Sequence, residues 1–555
     1  MRVLGVNCFS HDTAACLLED GRIVAFAEEE RFNRERHTKR FPDQAIGFCL
    51  GEAGIGVNEV DVVAFAHRPG LDLARGMADA LRRRAPKRAA VQAYVDGNLL
   101  RKEAAFRARW RYRGRIEHVG HHDAHAASAF FPSPFERAAV LTLDRGGDFL
   151  STTLQLGAGQ RLTRLVEVRN PDSLGEVYSA LTWYLGFAPN ADEGKTMGLA
   201  PYGRDKLVPE LTDLVRQTPD GLFRVNLAWF AYHREGGWLS RRFLDRYGPP
   251  RVPESAISEF HEDLAFAVQD LLEETALHVA RTLRQRTGCG DLCLAGGVAL
   301  NSVMNSRLLR EAGFQRIFIQ PAASDAGNAL GAAMWVWHQR LGRPRGEAMS
   351  HAYFGAAWTE QEQAAALTGQ GLTIRRVSDP AEEAAGLLAA GKIIGWFQGR
   401  AEVGPRALGA RSILADPRRA ETKDVVNARV KRREAFRPFA PSVLDERGHE
   451  FFDRYAPNPF MLLVQPVRAD RRAQIPAVTH VDGTARLQSV TARDNPLYHR
   501  LISGFAARTG IPVVLNTSFN LRGEPIVHRP VEAVADFVAS DMDALFLGSL
   551  LATKT

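Results

Sequence analysis

Cysteine is scarce in this chain of 555 residues: Cys8, Cys16, Cys49, Cys289 and Cys293 are scattered through it. They form no Cys-x-x-Cys pair, which argues against a zinc ribbon and for a reducing, cytoplasmic setting. No apolar run approaches the ~18 residues of a membrane span. The opening Met1-Arg-Val-Leu-Gly-Val-Asn7 reads as a strand and not as a signal peptide. Basic runs interleaved with aromatics, the mark of single-strand nucleic-acid binders, are missing too. The densest basic run, Arg82-Arg-Arg-Ala-Pro-Lys-Arg88, reads as a solvated helix end. The expectation is therefore a cytoplasmic protein with no membrane and no nucleic-acid partner. Hydrophobic residues at 45% and charged residues at 24% suit a globular chain. The length exceeds what one core supports, so two or more domains are expected. A net charge of +7 reflects the arginine-rich composition, or else a polyanionic partner or phosphorylated small substrates.

The most informative stretch is His121-His122-Asp123-Ala124-His125. On a helix, a four-residue spacing puts His121 and His125 on one face, one turn apart. Two neutral imidazoles so placed can grip a divalent metal. Ala139–Leu143 reads as a buried strand that ends in the carboxylate of Asp144, with Gly146 and Gly147 just beyond. Far downstream, Ser324-Asp325-Ala-Gly-Asn-Ala-Leu-Gly331 offers another carboxylate on a turn at a helix start. Two histidines and two aspartates suit a hard-to-borderline divalent ion with a position left open for substrate oxygens.

Residues 2–7, 13–18 and 22–27 read as a three-stranded meander with the polar turn Phe9-Ser-His11-Asp12-Thr13. The same layout returns at 138–168, with the turn Asp144-Arg-Gly-Gly-Asp148. A repeated meander of this kind is the layout of actin-like ATPases, whose two related halves close on a nucleotide and whose turns present backbone N–H groups to phosphates. Leu292–Ala295 reads as a strand running into Gly296-Gly297-Val-Ala-Leu-Asn301, where glycines permit close backbone approach to a ligand. Residues 256–287 carry a helical apolar stripe. The stretch 190–203, with Lys195 among acids and glycines, reads as a ligand-contacting loop.

Helix breakers near 342–380 mark a boundary. We expect a first domain over 1–345, a boundary region over 346–378 and a second domain over 379–555. In the latter, Ile393–Phe397 is a strand that leads to Gly404-Pro-Arg406. Further on come Lys431-Arg-Arg-Glu-Ala-Phe-Arg437-Pro-Phe-Ala-Pro441, Thr484-Ala-Arg486 and Pro512-Val-Val-Leu-Asn516-Thr-Ser518. Arginines beside proline-stiffened loops are aimed in advance, as planar recognition of phosphate or carboxylate requires. Arg406, Lys431, Arg437 and Arg486, with Asn516 and Ser518, form a candidate anion pocket.

Several of these motifs occur in one order: Ser10-His-Asp-Thr-Ala-Ala15, Gly120–Phe130, Glu193–Gly203, Leu294–Asn301, Gly404–Ser412, Phe436–Ser442 and Leu515–Asn520. Through them the chain resembles the O-carbamoyltransferases of antibiotic and nodulation-factor biosynthesis, the NodU/CmcH family. The resemblance implies an α/β protein. Its N-terminal domain is similar to the actin-like tRNA threonylcarbamoyl transferase and holds iron(II), or manganese, magnesium or zinc, on His121, His125, Asp144 and Asp325. Its C-terminal domain looks like the YrdC fold, where carbamoyl phosphate and ATP give carbamoyl-adenylate and pyrophosphate. Arg406, Lys431, Arg437, Arg486, Asn516 and Ser518 match that site; Lys195, Gly296, Gly297 and Asn301 are further candidate cofactor-binding residues. The acceptor is a small-molecule alcohol, with AMP as leaving group. His11, beside Asp12, is the candidate base. Two rivals remain: a tRNA-modifying threonylcarbamoyl transferase, and an actin-like nucleotide-binding scaffold without activity.

Overall fold

The computed structural model describes residues 1–68, 70, 74, 77–78, 86–234 and 237–554; the side chains of the basic run at 82–88 lie outside the described residues. The chain divides into two units. The first comprises Met1–Glu29 and His37–Met349, the second Glu30–Arg36 and Ser350–Thr555.

In the first unit, β1 (Arg2–Asn7), β2 (Ala14–Glu19) and β3 (Arg22–Glu28) form the antiparallel meander read from the sequence. β4 (Val62–Ala66) and β5 (Arg115–Val119) add to β1 in parallel, giving the order β3-β2-β1-β4-β5. Strands buried on both faces need no alternation, which is why β1 and β4 read as unbroken apolar runs. A second sheet repeats the plan. β6 (Arg137–Gly147), β7 (Leu150–Ala158) and β8 (Arg161–Arg169) form a meander, and β9 (Asp291–Ala295) and β10 (Arg316–Ile319) extend it in parallel beyond β6. Counted in their own sequence order, both sheets run third-second-first-fourth-fifth. This duplication is the actin-like layout.

Four helices matter for the site. α1 (His121–Phe130) follows β5 directly and is buried along its whole length. α2 (Leu174–Tyr184) is capped by Ser173, whose Oγ accepts from Glu176 N at 3.1 Å. α3 (Glu259–Thr287) starts at a Ser258 cap and stops at Gly288 in the left-handed region, and it buries the stripe Leu264, Val268, Leu272, Ala276 and Val279. α4 (Gly327–Trp335) is wholly buried against β1 and α1. Glycines make its fit possible. A Cβ on Gly5 of β1 would lie 1.8 Å from Ala329 O, and one on Gly331 would lie 1.8 Å from Ala124 O of α1. The stretch 190–203 is not a loop. It holds the helix Glu193–Leu199 and a further turn at Ala200–Tyr202, seated on α3 through buried Leu199 and Ala200.

The second unit is built on an eight-stranded mixed sheet. Its strands are β11 (Leu372–Arg376), β12 (Ile394–Phe397), β13 (Arg411–Ala415), β14 (Ala440–Leu444), β15 (Gln488–Val490), β16 (Val513–Ser518), β17 (Ala544–Leu547) and β18 (Leu550–Lys554), in the order β11-β18-β17-β12-β13-β16-β14-β15. The stretch 346–378, expected as a boundary, is folded from Ser350 onward as part of this unit: β11 lies in it and pairs with β18. The seven residues Glu30–Arg36 are held here as well. Arg31 Nη2 donates to Gly404 O at 2.5 Å, and Arg34 donates to Ile526 O at 2.8 Å and Pro525 O at 2.9 Å.

Candidate functional sites

The first site is built where α1 begins. His121 and His125 are fully buried and turn their Nε2 atoms to within 3.1 Å of each other. Asp144 arrives from β6, where a bulge between Leu143 and Gly147 breaks the register with β7. Its Oδ2 lies 3.2 Å from His121 Nε2. Asp325, on the turn before α4, brings Oδ1 to 3.5 Å from His121 Nε2 and 3.4 Å from His125 Nε2. The four ligand atoms lie within 4.8 Å of one another. Burial alone would lower the His121 pKa, but Asp325 and Asp144 outweigh it and hold the imidazole up to about 9. Desolvation pushes the Asp144 pKa up, but His121, then His125 and His122, hold it well below the usual carboxylate range. Two imidazole nitrogens and two carboxylate oxygens facing one point fit a borderline-to-hard divalent cation. His122 faces elsewhere. It bonds Thr142 Oγ1 at 2.7 Å and Leu150 O at 3.1 Å, and is a core histidine.

Gly296 and Gly297 serve this cluster. Gly296 sits at φ +96, and a Cβ there would lie 2.1 Å from Leu143 O. Gly297 N donates to Asp144 Oδ1 at 2.9 Å, and Gly146 N to Oδ2 at 3.0 Å, so Asp144 is aimed by backbone on both oxygens. Asn301 is not at the cluster. It caps the helix Ser302–Glu311 and exchanges two hydrogen bonds, 2.9 and 3.0 Å, with Gln269. Lys195 pairs with Asp192 at 3.1 Å and lies over the Phe187 ring.

His11 and Asp12 form a second constellation. Asp12, at φ +54, bonds His11 Nδ1 at 3.1 Å and His37 Nδ1 at 2.7 Å, and the two rings stack at 4.6 Å. Asn7 Nδ2 donates to the carbonyls of both His11 and Asp12 and fixes the turn. Burial works against the charge on His11, yet Asp12 and Asp325 raise its pKa above the ordinary histidine value. Desolvation likewise opposes the Asp12 charge, and the two histidines more than reverse it. With Nδ1 on Asp12, Nε2 of His11 is the nitrogen left to meet a substrate.

In the second unit the candidate anion residues gather into one cationic group. Burial, then Arg437, pushes the Arg406 pKa down to about 10. Burial, then Arg406, Arg433 and Arg437, lowers Arg486 well below the arginine range. The buried Nε of Arg486 makes no hydrogen bond among the described residues. Glu434 stands 3.7 Å from Arg437. Lys431 belongs to the frame of this pocket. Its Nζ donates to Ser518 O at 2.8 Å and to Asn520 O and Oδ1 at 2.7 and 2.6 Å. Asn516 Nδ2 bonds Ser442 Oγ and Gln488 Oε1, both at 3.0 Å, while its buried Oδ1 has no partner among the described residues. Ser518 Oγ donates to Asn520 Oδ1 at 2.7 Å.

Sequence reading missed His67, Asp148, Asn328, His37 and Arg433. Asp148, Asn328 and Arg433 stood inside motifs already noticed. His67 and His37 carry no local signal, being brought in from other parts of the chain.

Comparison with known proteins adds the following. Residues 2–334 match the family described as carbamoyltransferase N-terminus, and residues 385–554 match carbamoyltransferase C-terminus. The nodulation protein NolNO of Sinorhizobium fredii is 41% identical over 99% of this chain and 80% of its own length. An uncharacterized Synechocystis protein is 42% identical over 100% of this chain and 97% of its own. The 3'-hydroxymethylcephem-O-carbamoyltransferase of Amycolatopsis lactamdurans is 36% identical over 49% of this chain and 50% of its own. No helix among the described residues is long and apolar enough to cross a membrane.

Proposed function

This chain belongs to the carbamoyltransferase family, and we propose that it is an ATP-dependent O-carbamoyltransferase that works in two steps at two sites. In the second unit, carbamoyl phosphate, water and ATP become carbamoyl-adenylate, orthophosphate and pyrophosphate. The balance requires loss of the carbamoyl phosphate phosphoryl group before a carbamate oxygen attacks the α-phosphorus. Both substrates are anions. Arg406, Arg433, Arg437 and Arg486 would lower the cost of bringing them together, with fixed donors aimed at phosphate oxygens. The observation that carries this reading is that concentration of buried guanidiniums, close enough to lower one another's pKa. Lys431, Asn516 and Ser518 hold the strand end that shapes the pocket.

In the first unit, a hydroxyl of a small-molecule acceptor attacks the carbamoyl carbon and AMP leaves. An alcohol is a weak nucleophile and needs a base. His11 Nε2 takes the hydroxyl proton, and Asp12 orients the ring and stabilises the imidazolium formed. His121, His125, Asp144 and Asp325 would hold a divalent cation, with iron(II) first and manganese, magnesium or zinc as alternatives. Bound there, it supplies Lewis acidity toward the adenylate oxygens. A hydroxyl on a natural product is the acceptor class favoured by the cephem carbamoyltransferase among the relatives.

The half-reactions separate the two sites. Arg406→Ala is expected to lose both pyrophosphate release and product, and added synthetic carbamoyl-adenylate restores product. His121→Ala keeps carbamoyl phosphate-dependent pyrophosphate release and makes almost no carbamoylated alcohol, with or without added adenylate. Folded His121→Ala protein that releases no pyrophosphate overturns the two-site reading.

A further inference from the structure

His121 is the one histidine of the metal-ligand cluster with a second imidazole behind it. His67 follows β4 in the left-handed region, at φ +74, and is buried. Its Nε2 lies 3.2 Å from His121 Nδ1, the nitrogen that points away from the cluster, and the ring centroids are 4.4 Å apart. Several groups hold it there. The buried Lys102 Nζ donates to Ala66 O and His67 O, both at 2.7 Å. Asp148 ties the same strand end to the start of α1. Its Oδ1 accepts from Arg68 N at 2.9 Å and its Oδ2 from His121 N at 2.6 Å. His67 Nδ1 faces Asp148 Oδ1 at 4.0 Å.

The proton positions follow from the chemistry. A ligating imidazole nitrogen must carry a free lone pair, so His121 binds through Nε2 only with its proton on Nδ1. That N–H needs a buried acceptor, because an unsatisfied one loses the hydrogen bonds it would make with water. His67 Nε2 is an acceptor when its own proton is on Nδ1, which lies 4.0 Å from Asp148 Oδ1 and makes no hydrogen bond among the described residues. Asn328 agrees with this arrangement. Its Nδ2 lies 3.4 Å from His121 Nδ1 and 3.2 Å from His125 Nε2, while its buried Oδ1 has no partner among the described residues. Which end of an amide is oxygen is an assignment made from its hydrogen bonds. Turned over, Asn328 accepts from His121 Nδ1 as well, its oxygen gains a partner, and no N–H is aimed at His125 Nε2.

We propose that His67 is a positioning residue that holds His121 with its proton on Nδ1, and that it thereby sets the affinity of the His121–His125–Asp144–Asp325 cluster for a divalent cation. This rests on the reading of that cluster as a metal site. Partners behind a metal-bound histidine fix its tautomer and orientation, and their loss costs about 10- to 100-fold in metal affinity.

The test uses full-length protein stripped with a chelator and titrated with Co²⁺. Binding is read from the visible spectrum and by competition with a chelating dye. His67→Ala is expected to bind Co²⁺ about 10- to 100-fold more weakly than wild type, with a changed spectrum. His67→Gln, whose Oε1 can accept the same hydrogen bond, recovers most of the affinity. Thermal unfolding of the metal-free variants verifies that both are folded. A His67→Ala protein that binds Co²⁺ as wild type does overturns the proposal, and so does a His67→Gln protein as weak as His67→Ala. Wild type that binds no Co²⁺ overturns the metal reading and this inference together. Wild-type binding with an unaffected His67→Ala removes only the inference.

Discussion

Arg486 illustrates how a single side chain can oppose the fold that holds it. Burial and three neighbouring guanidiniums press its pKa well below the arginine range, so its charge destabilises the ligand-free protein. Arg486→Ala is therefore expected to raise the unfolding temperature of the ligand-free protein. The same change removes a charge-assisted contact worth about 1.5–3 kcal/mol, which is about a 10- to 150-fold loss in carbamoyl phosphate-dependent pyrophosphate release. Calorimetry and a coupled pyrophosphate assay read the two effects. Lower stability together with unchanged kinetics would place Arg486 in the structure and not in the pocket. At this scale the sequence revealed what is local. The spacing of His121 and His125 is a helix periodicity, and Asp144 ends an apolar run that could be recognised as a strand. His67 and His37 reach their places through long-range pairing, which no short pattern encodes, whereas Asn328 stood three residues beyond Asp325 in a stretch already singled out. Asn301 and Lys195 were noticed because they stand in recognisable motifs, yet their side chains are engaged by Gln269 and by Asp192.

Among the elements, α4 has the least room for change. Gly331 lets it meet the backbone of α1 at Ala124, the residue directly before His125. Gly331→Ala must drive the two helices apart, and overpacking of this kind costs about 1–3 kcal/mol. The variant is expected to melt lower than wild type and to bind Co²⁺ more weakly, because the shift falls on the helix that carries both histidines. A normal melting temperature with normal Co²⁺ affinity would mean that α1 can absorb the displacement. The meanders were legible because short apolar runs separated by polar or glycine turns mark three antiparallel strands without reference to the rest of the chain. The helix Glu193–Leu199 was not. Its glycines and acids resemble loop composition, and its helicity comes from seating Leu199 and the following turn on α3.

For the molecule as a whole, the path of the chain matters as much as its two folds. Residues 30–36 belong to the second unit although more than three hundred residues of the first follow them. Besides the carbonyls already named, Arg34 pairs with Glu532 at 3.4 Å and Glu524 at 3.6 Å, and the Phe32 ring lies 4.4 Å from that of His528. A fragment of residues 350–555 lacks these partners. It is expected to be less stable than the second unit in the intact chain, and to gain stability when a peptide spanning 28–38 is added. Thermal melts of the fragment with and without peptide decide this, and a melt indifferent to the peptide would show the segment to be dispensable. A seven-residue excursion leaves no compositional trace. It has a consequence during synthesis. A ribosome adds about 5–20 residues per second, so Arg31, Phe32 and Arg34 emerge roughly half a minute to two minutes before the chain that receives them is finished. Through that interval the first unit can form its sheets around a tether whose destination has not yet been made, and a prematurely terminated product would carry that tether permanently empty-handed.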